Sequence, residues 1–418
     1  MIFICFLVFA SSPTASAERA SDWLKLAVAK LCPIQDLTGF DAQTALQGSW
    51  ILEETRTPQE GVPQRIELRL AVEGSGELLV EKRLFGGQLR QFRATYSALQ
   101  GAILQPLSMV IADGGCTIRS GRQLREEEGA WQYLDHLEDD LETLRWSETL
   151  QAPWPSGEDP GGVRVALVDS GLAYDLEQFR NHLARDQEGN SLGYDFWDMD
   201  PWPYDGDTSR GPFLPIRHGT PVASIIVREA PDAALIPFRY PRPDMTRMAE
   251  LVERASASGA RILAMPLGSR NSDEWSAFEQ ALKRHDLLAI VSAGNDGKDI
   301  DRNPVFPASS MLENIITVTS ADQFGRLANG SNWGKQSVDI MVPAENIDVI
   351  DFRGASGKAS GSSYAVPRIA ALAVRILSED PALSALELKQ RIFSRAAPSP
   401  FETGGKVAVG WIADPSSN

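Results

Sequence analysis

The spacing of hydrophobic residues changes along the chain and divides it into regions. Apolar residues recur at three- and four-residue steps over residues 20–31, which predicts a short amphipathic helix. From Gly48 onward the period becomes two, as is typical of strands in an antiparallel meander. Six strands are predicted there: residues 51–55, 65–71, 77–84, 89–96, 102–111 and 131–137.

A different pattern begins after a segment rich in proline and glycine, residues 152–162, which we interpret as a linker. Short, nearly continuous apolar runs then alternate with helical periodicity, and such runs suit strands that are covered on both faces. The predicted strands are 163–168, 233–237, 262–265, 287–292, 315–319 and 338–342, and the predicted helices are 220–228, 246–257 and 273–285.

These patterns predict an α/β fold, with a parallel sheet and helices on both faces, preceded by a smaller antiparallel β domain, either a barrel or a sandwich. The predicted organisation is a signal peptide at 1–17, a β-rich accessory domain or pro-domain at 18–151, the linker at 152–162 and the main domain at 163–418. A ligand site is expected at the carboxyl ends of the parallel strands.

The first seventeen residues resemble a secretory signal. Residues 1–10 are apolar and are followed by small residues that end in Ala15-Ser16-Ala17, although no lysine or arginine precedes the apolar run. An apolar run of ~10 residues is too short to span a bilayer, which needs ~20. We therefore expect an exported protein, periplasmic or extracellular, without a membrane association after signal removal.

Charge and cysteine content restrict the partners further. The 418 residues carry a net charge of −16, which argues against nucleic acid and anionic membranes as partners. Once the predicted signal is removed, Cys32 and Cys116 remain, and an oxidising compartment favours a disulfide between them over two buried thiols.

Four short motifs then carry chemistry. Asp169 follows the first predicted strand of the parallel sheet, His218 opens a helix, Asn295 follows a strand in a glycine-rich turn, and Ser363 opens a buried helix. An oxygen nucleophile, an imidazole base, a buried carboxylate that orients the imidazole and an amide donor are the groups that acyl transfer requires.

The order Asp, His, Asn, Ser resembles that of the subtilisin-like serine peptidases, and the resemblance covers about residues 163–397. It implies that Asp169, His218 and Ser363 form a catalytic triad, and that Asn295 and the backbone N–H of Ser363 form the oxyanion hole. It also implies substrate-binding roles for the two residue pairs Leu267 and Gly268, and Ala293 and Gly294.

The sequence departs from the family pattern at several positions near the motifs. Pro221 and Ser224 follow the histidine motif, Pro266 lies in the expected substrate-binding strand, and Tyr364 follows the serine. None of these changes removes a reacting group, so we expect a secreted serine endopeptidase that acts on polypeptides. The alternative is a weakly active or inactive peptide-binding protein with a peptidase-like fold.

Two features leave alternatives open. Residues 195–207 contain five carboxylates, which could hold calcium, but we favour a solvated acidic loop and expect that no cofactor and no metal is required. The N-terminal domain occupies the place of an inhibitory propeptide, but its β-rich character differs from that of most subtilase propeptides. A retained accessory domain and a removed, intramolecularly inhibitory one are both kept as interpretations.

Overall fold

The computed structural model consists of two compact units, Met1–Leu150 and Gln151–Asn418. The residues that it describes are 13–34, 46, 49–59, 62–72, 76–100, 103–127, 130–240, 244–401 and 405–417. The apolar part of the predicted signal peptide, residues 1–10, lies outside this set. None of the described helices combines the length and the apolar character needed to cross a bilayer.

The first unit is a helix packed on an eight-stranded antiparallel sheet. Helix α1 (Pro13–Leu31) contacts two central strands of the sheet, which runs from β1 to β8 in chain order. The strands are β1 (Ser49–Gln59), β2 (Val62–Val72), β3 (Gly76–Phe85), β4 (Gln88–Gln100), β5 (Ile103–Asp113), β6 (Ile118–Glu127), β7 (Ala130–Leu137) and β8 (Leu144–Thr149). The predicted antiparallel β domain is therefore confirmed.

Alternate residues of the central strands form the core of this unit. Leu78 and Val80 on β3, and Phe92 and Ala94 on β4, are fully buried and pack in one cluster with apolar residues of α1. Cys32, just after α1, forms a disulfide with Cys116, between β5 and β6, which confirms the predicted pair. The bond ties the helix to the sheet that it covers.

The second unit is built on an eight-stranded parallel sheet. Its strands are β9 (Val163–Asp169), β10 (Tyr194–Asp195), β11 (Ala233–Arg239), β12 (Ile262–Met265), β13 (Leu288–Ser292), β14 (Ile315–Ala321), β15 (Ile340–Pro343) and β18 (Gly410–Trp411). Their order across the sheet is β10-β11-β9-β12-β13-β14-β15-β18. A separate antiparallel hairpin consists of β16 (Ile347–Ile350) and β17 (Ser356–Ala359).

Helices cover both faces of this sheet, which explains the continuous apolar runs. Val165 and Leu167 of β9 face one core and Ala166 and Val168 face the other, so the strand is buried continuously from Val165 to Asp169. The helices are α2 (Glu177–Arg180), α3 (Gly219–Glu229), α4 (Met248–Ala257), α5 (Ser276–Leu282), α6 (Ser362–Glu379) and α7 (Ala385–Phe393). Helices α3, α6 and α7 lie on one face, and α4 and α5 on the other.

Candidate active site

A carboxylate and an imidazole meet at the carboxyl end of β9. Asp169 is the last residue of the strand, and its side chain is completely buried. Its two oxygens lie 2.8 and 2.7 Å from Nδ1 of His218, which immediately precedes α3. Because the buried carboxylate accepts the proton on Nδ1, the second ring nitrogen, Nε2, is left as the proton acceptor.

Two buried side chains hold the backbone around His218. Ser170 Oγ accepts hydrogen bonds from the backbone N–H groups of His218 and Gly219, at 2.9 and 2.8 Å. The same hydroxyl donates to Asp205 Oδ1 at 2.6 Å, and Asp205 Oδ2 accepts from the N–H of Thr220 at 3.0 Å. The free N–H groups at the start of α3 are thereby satisfied.

Asp205 is fully buried beside this helix terminus, and burial raises the pKa of its carboxyl group, an effect that the nearby Arg217 opposes. The hydrogen bonds from Ser170 and Thr220, like Arg217, lower this pKa because they favour the ionised form. The position of His218 therefore depends on a polar network that lies behind the catalytic candidates.

Asn295 is oriented by the start of α6. Its Oδ1 accepts from the backbone N–H and from Oγ of Ser362, at 2.9 and 3.0 Å. Ser362 Oγ also lies 2.7 Å from Ser292 Oγ, at the end of β13. Because Ser362 engages the amide oxygen, the nitrogen Nδ2 is the atom of this amide that can donate to a ligand.

Gly361 permits this close approach. It has a φ of 125°, and a Cβ at this position would lie only 3.2 and 3.3 Å from the side-chain oxygen and nitrogen of Asn295. A larger residue would therefore be strained by its backbone conformation and would press on the amide.

Ser363 stands in the chain between a residue that contacts Asn295 and one that lies near His218. It is a half-buried residue in the first turn of α6, between Ser362, which contacts Asn295, and Tyr364, whose ring centroid is 5.7 Å from that of His218. Backbone N–H groups in a first helical turn have no acceptor within the helix, so that of Ser363 is available as a donor.

The residues that were predicted to bind substrate lie on two neighbouring segments. Leu267 and Ala293 are buried in the core, and the backbone N–H and C=O of Ala293 are engaged by Val318 O and Asn332 Nδ2. Gly268 packs against the carbonyl of Phe306, and Gly294 has a φ of 96°. These segments follow β12 and β13, which are adjacent in the sheet.

The interpretation of residues 195–207 as a solvated loop is wrong. Asp195, Asp205 and Asp207 are buried. Asp195 Oδ2 accepts from Arg239 at 2.7 Å, and Asp205 is held as described above. Among the described residues, no group of three or more histidine, cysteine and acidic side chains is arranged to hold a metal ion. The carboxylates of this segment serve instead as acceptors for protein donors.

Sequence reasoning did not assign roles to the supporting residues Ser170, Asp205 and Ser292. Ser170 adjoins a motif residue and Asp205 lies in the acidic segment, but only burial shows what they contact. The effect of Ser224 is now visible as well. Its Oγ donates to Pro221 O at 2.7 Å and accepts from Ile350 N at 3.1 Å, which ties α3 to β16.

Comparisons with known proteins agree with this arrangement. The model of the Subtilase family matches residues 161–411, which is more than half of the chain. The thermophilic serine proteinase of Bacillus sp. (strain AK1) is 26% identical over 255 residues, which cover 57% of each protein. The cell wall-associated protease of Bacillus subtilis (strain 168) is 26% identical over 253 residues, 57% of this chain and 26% of the relative. The chain thus spans about half, or less, of the length of these relatives.

Two solved structures share the fold. A cold-adapted subtilisin-like serine proteinase superposes with a TM-score of 0.52 at 23% identity, over 65% of this chain and 95% of that one. A lanthipeptide protease gives 0.51 at 19% identity, over 61% and 87%. Together with the family match over residues 161–411, the parallel sheet and its site show that this chain belongs to the subtilase family.

Proposed function

We propose that the protein is a serine endopeptidase that hydrolyses peptide bonds in polypeptides through an acyl-enzyme on Ser363. The observation that carries the proposal is the pair formed by the buried Asp169 and Nδ1 of His218, next to a helix that begins at Ser362 and Ser363. Membership of the subtilase family and relatives that are named proteases support the same activity.

In this mechanism Ser363 Oγ attacks the carbonyl carbon of the scissile bond while His218 Nε2 takes the hydroxyl proton. Asp169 stabilises the imidazolium that forms and keeps it oriented. The negative charge on the former carbonyl oxygen is held by Asn295 Nδ2 and the backbone N–H of Ser363. His218 then gives its proton to the leaving amine, and a water molecule hydrolyses the ester by the same steps in reverse.

The geometry also supports a way for the substrate to bind. We expect an extended substrate to run along the backbones of Leu267 and Gly268 on one side, and of Ala293 and Gly294 on the other. The segment at Leu267 and Gly268 would offer its backbone groups to a peptide in the manner of an added strand. The backbone groups of Ala293 and Gly294 are bonded within the protein, so that segment would line the cleft without adding strand-like bonds. No cofactor is required by this chemistry, and a melting temperature that is unchanged by a chelator would support the absence of structural calcium.

The test is hydrolysis of an unfolded protein by the wild type and by Ser363→Ala, together with labelling by a fluorophosphonate. We expect the substitution to abolish both signals, because the nucleophile is lost, whereas Ser394→Ala, at the end of α7, should retain both. Full hydrolysis by Ser363→Ala would overturn the assignment of the nucleophile.

The alternative function, peptide binding without turnover, rests on the departures at Pro266 and Tyr364. The ring of Tyr364 packs close to His218, where it narrows the space around the imidazole. A wild-type protein that binds peptides but neither cleaves them nor reacts with the fluorophosphonate would favour this alternative.

Export and control by the first unit complete the proposal. The Cys32–Cys116 disulfide supports an oxidising compartment, periplasmic or extracellular, after removal of residues 1–17.

We propose that the first unit inhibits the peptidase unit until it is cut away; a retained accessory domain is the competing interpretation. The mass measurement proposed in the Discussion distinguishes the two.

A further inference from the structure

Asn332 is a buried asparagine between β14 and β15 whose side chain forms hydrogen bonds with one loop. Its Nδ2 donates to Ala293 O at 2.8 Å, and its Oδ1 accepts from the N–H groups of Asp296 and Lys298, at 3.0 and 2.9 Å. All three partners belong to residues 293–298, the loop that carries Asn295. The residue is completely inaccessible to solvent.

The backbone around Asn332 holds the same loop. Its N–H donates to Gly294 O at 2.9 Å, and the N–H of Gly297 donates to Gly330 O at 2.7 Å. The carbonyl of Asn332 is fixed in turn by Thr319 Oγ1, at 2.6 Å. Asn332 thus supplies four of the hydrogen bonds that hold this loop, beside those from Ala293 N to Val318 O on β14 and from Trp333 N to Lys298 O.

The loop would not keep its shape through its own sequence. Gly294 and Gly297 have φ values of 96° and 67°, and glycine has many alternative conformations of similar energy. The side chain of Asn295 is exposed, and Ser362 supplies its hydrogen bonds. Stabilisation of an oxyanion requires a donor within a few tenths of an ångström of its proper position.

We propose that Asn332 is a positioning residue that holds the Asn295 loop in the geometry needed to stabilise the oxyanion. The inference rests on the proposed peptidase function. It assigns to Asn332 an effect on turnover, transmitted through Asn295, in addition to its contribution to folding. A purely structural residue would change stability without a specific loss of turnover.

Asn314 is a matched control for this distinction. Its Nδ2 donates to the backbone carbonyls of Leu282 and Leu287, at 3.0 and 3.1 Å. It therefore also joins loops of the peptidase unit through a side-chain amide. It lies just before β14, at the end of the sheet opposite the catalytic candidates.

The experiment measures kcat and KM for a peptide substrate, and the melting temperature, for Asn332→Ala and Asn314→Ala, each with and without Asn295→Ala. We expect Asn332→Ala to lower kcat about 10- to 100-fold with KM changed less than about 3-fold, because a donor that is displaced stabilises the transition state poorly. In the Asn295→Ala background the same change should lower kcat less than about 3-fold. Asn314→Ala should lower the melting temperature while kcat stays within about 2-fold of the wild type.

An unchanged kcat in a folded Asn332→Ala protein would overturn this inference but not the proposed function. So would a loss of kcat no larger than that of Asn314→Ala, or one that is equally large in the Asn295→Ala background. If Asn332→Ala does not fold, Asn332→Asp, which keeps both acceptor contacts, is measured by the same criteria. A wild type without any turnover would instead overturn the proposed function, and this inference with it.

Discussion

At the scale of single residues, the orientation of Asn295 is a feature on which turnover depends in the proposed mechanism. Its oxygen is engaged by Ser362 and its nitrogen is left to donate. This division matters because an amide that was rotated by half a turn would present an acceptor to the developing negative charge. The two hydrogen bonds from Ser362 therefore select the productive orientation.

Replacing Asn295 by alanine should therefore lower kcat by about 10²- to 10³-fold and leave KM nearly unchanged, which is the loss known for removal of one oxyanion donor from subtilisin, a family relative. Steady-state kinetics on a peptide substrate measure it, with Asn190→Ala, an exposed asparagine that bonds to Asp186, as the control. A loss that appears mainly in KM would argue against the assigned role.

Residues of the site could be predicted where a short sequence motif marks them, and not where only the folded structure does. Asp169, His218, Asn295 and Ser363 stand in short motifs whose order along the chain is informative, so they could be singled out. Asn332 stands in Gly330-Ser331-Asn332, which by its residue types is an ordinary turn. Its function depends on burial and on contacts with a loop almost forty residues earlier, and neither is visible in a local pattern.

At the scale of helices and strands, the hydrophobic pattern predicted the apolar strands but missed the polar ones. Six strands of the parallel sheet were found because they are buried on both faces, whereas the two-residue edge strands β10 and β18 were missed. Strands β6 and β8 were missed because few of their residues are buried, Gly121 and Leu124 on β6 and Glu148 on β8. Their pairing with β7 holds them in the sheet, and a partner strand leaves no trace in hydrophobic periodicity.

Lys82 on β3 should make the free energy of unfolding depend on pH. It is almost completely buried, its Nζ donates to the carbonyls of Cys32 and Ile34, and burial lowers its pKa to about 8. Between pH 8 and about 10.5 the unfolded chain therefore binds more protons at this lysine than the folded chain does. The contribution of Lys82 to the free energy of unfolding should rise with pH in this window, by at most about 1.4 kcal/mol per pH unit.

Denaturant unfolding of the full-length Ser363→Ala protein between pH 8 and 10 measures this effect without self-digestion. Lys82→Met should remove the rise, whereas Lys25→Met, at a partly exposed lysine paired with Glu142, should retain it. An identical pH dependence in both variants would show that other groups are responsible.

At the scale of the whole molecule, the boundary between the two units falls next to a segment that is held firmly on the second unit. Tyr174 Oη donates to Ala152 O at 2.6 Å, and Arg185 Nη1 donates to Pro155 O at 2.7 Å. Further along, the N–H of Arg185 donates to Asp159 Oδ1 at 2.8 Å. A peptide bond within such a segment is a poor protease substrate, because cleavage requires an extended and accessible chain.

If the first unit is removed by self-processing, the cut should therefore lie just before Ala152. Because Leu144–Thr149 form the paired strand β8, mass spectrometry of the exported wild type should give a mature N-terminus between Leu150 and Ala152, and Ser363→Ala should begin at Glu18. Wild-type protein that begins at Glu18 and is fully active would favour a retained accessory domain. Ser363→Ala protein that begins at Met1 would contradict the signal peptide.

The disulfide described above also affects how damage to the first unit would be detected. Cys32 and Cys116 are 84 positions apart, so any single peptide-bond cleavage between them leaves both fragments covalently joined. Electrophoresis without a reductant would report an intact chain, and the break would become visible only after thiol treatment. Assays of integrity for this protein therefore need both conditions side by side.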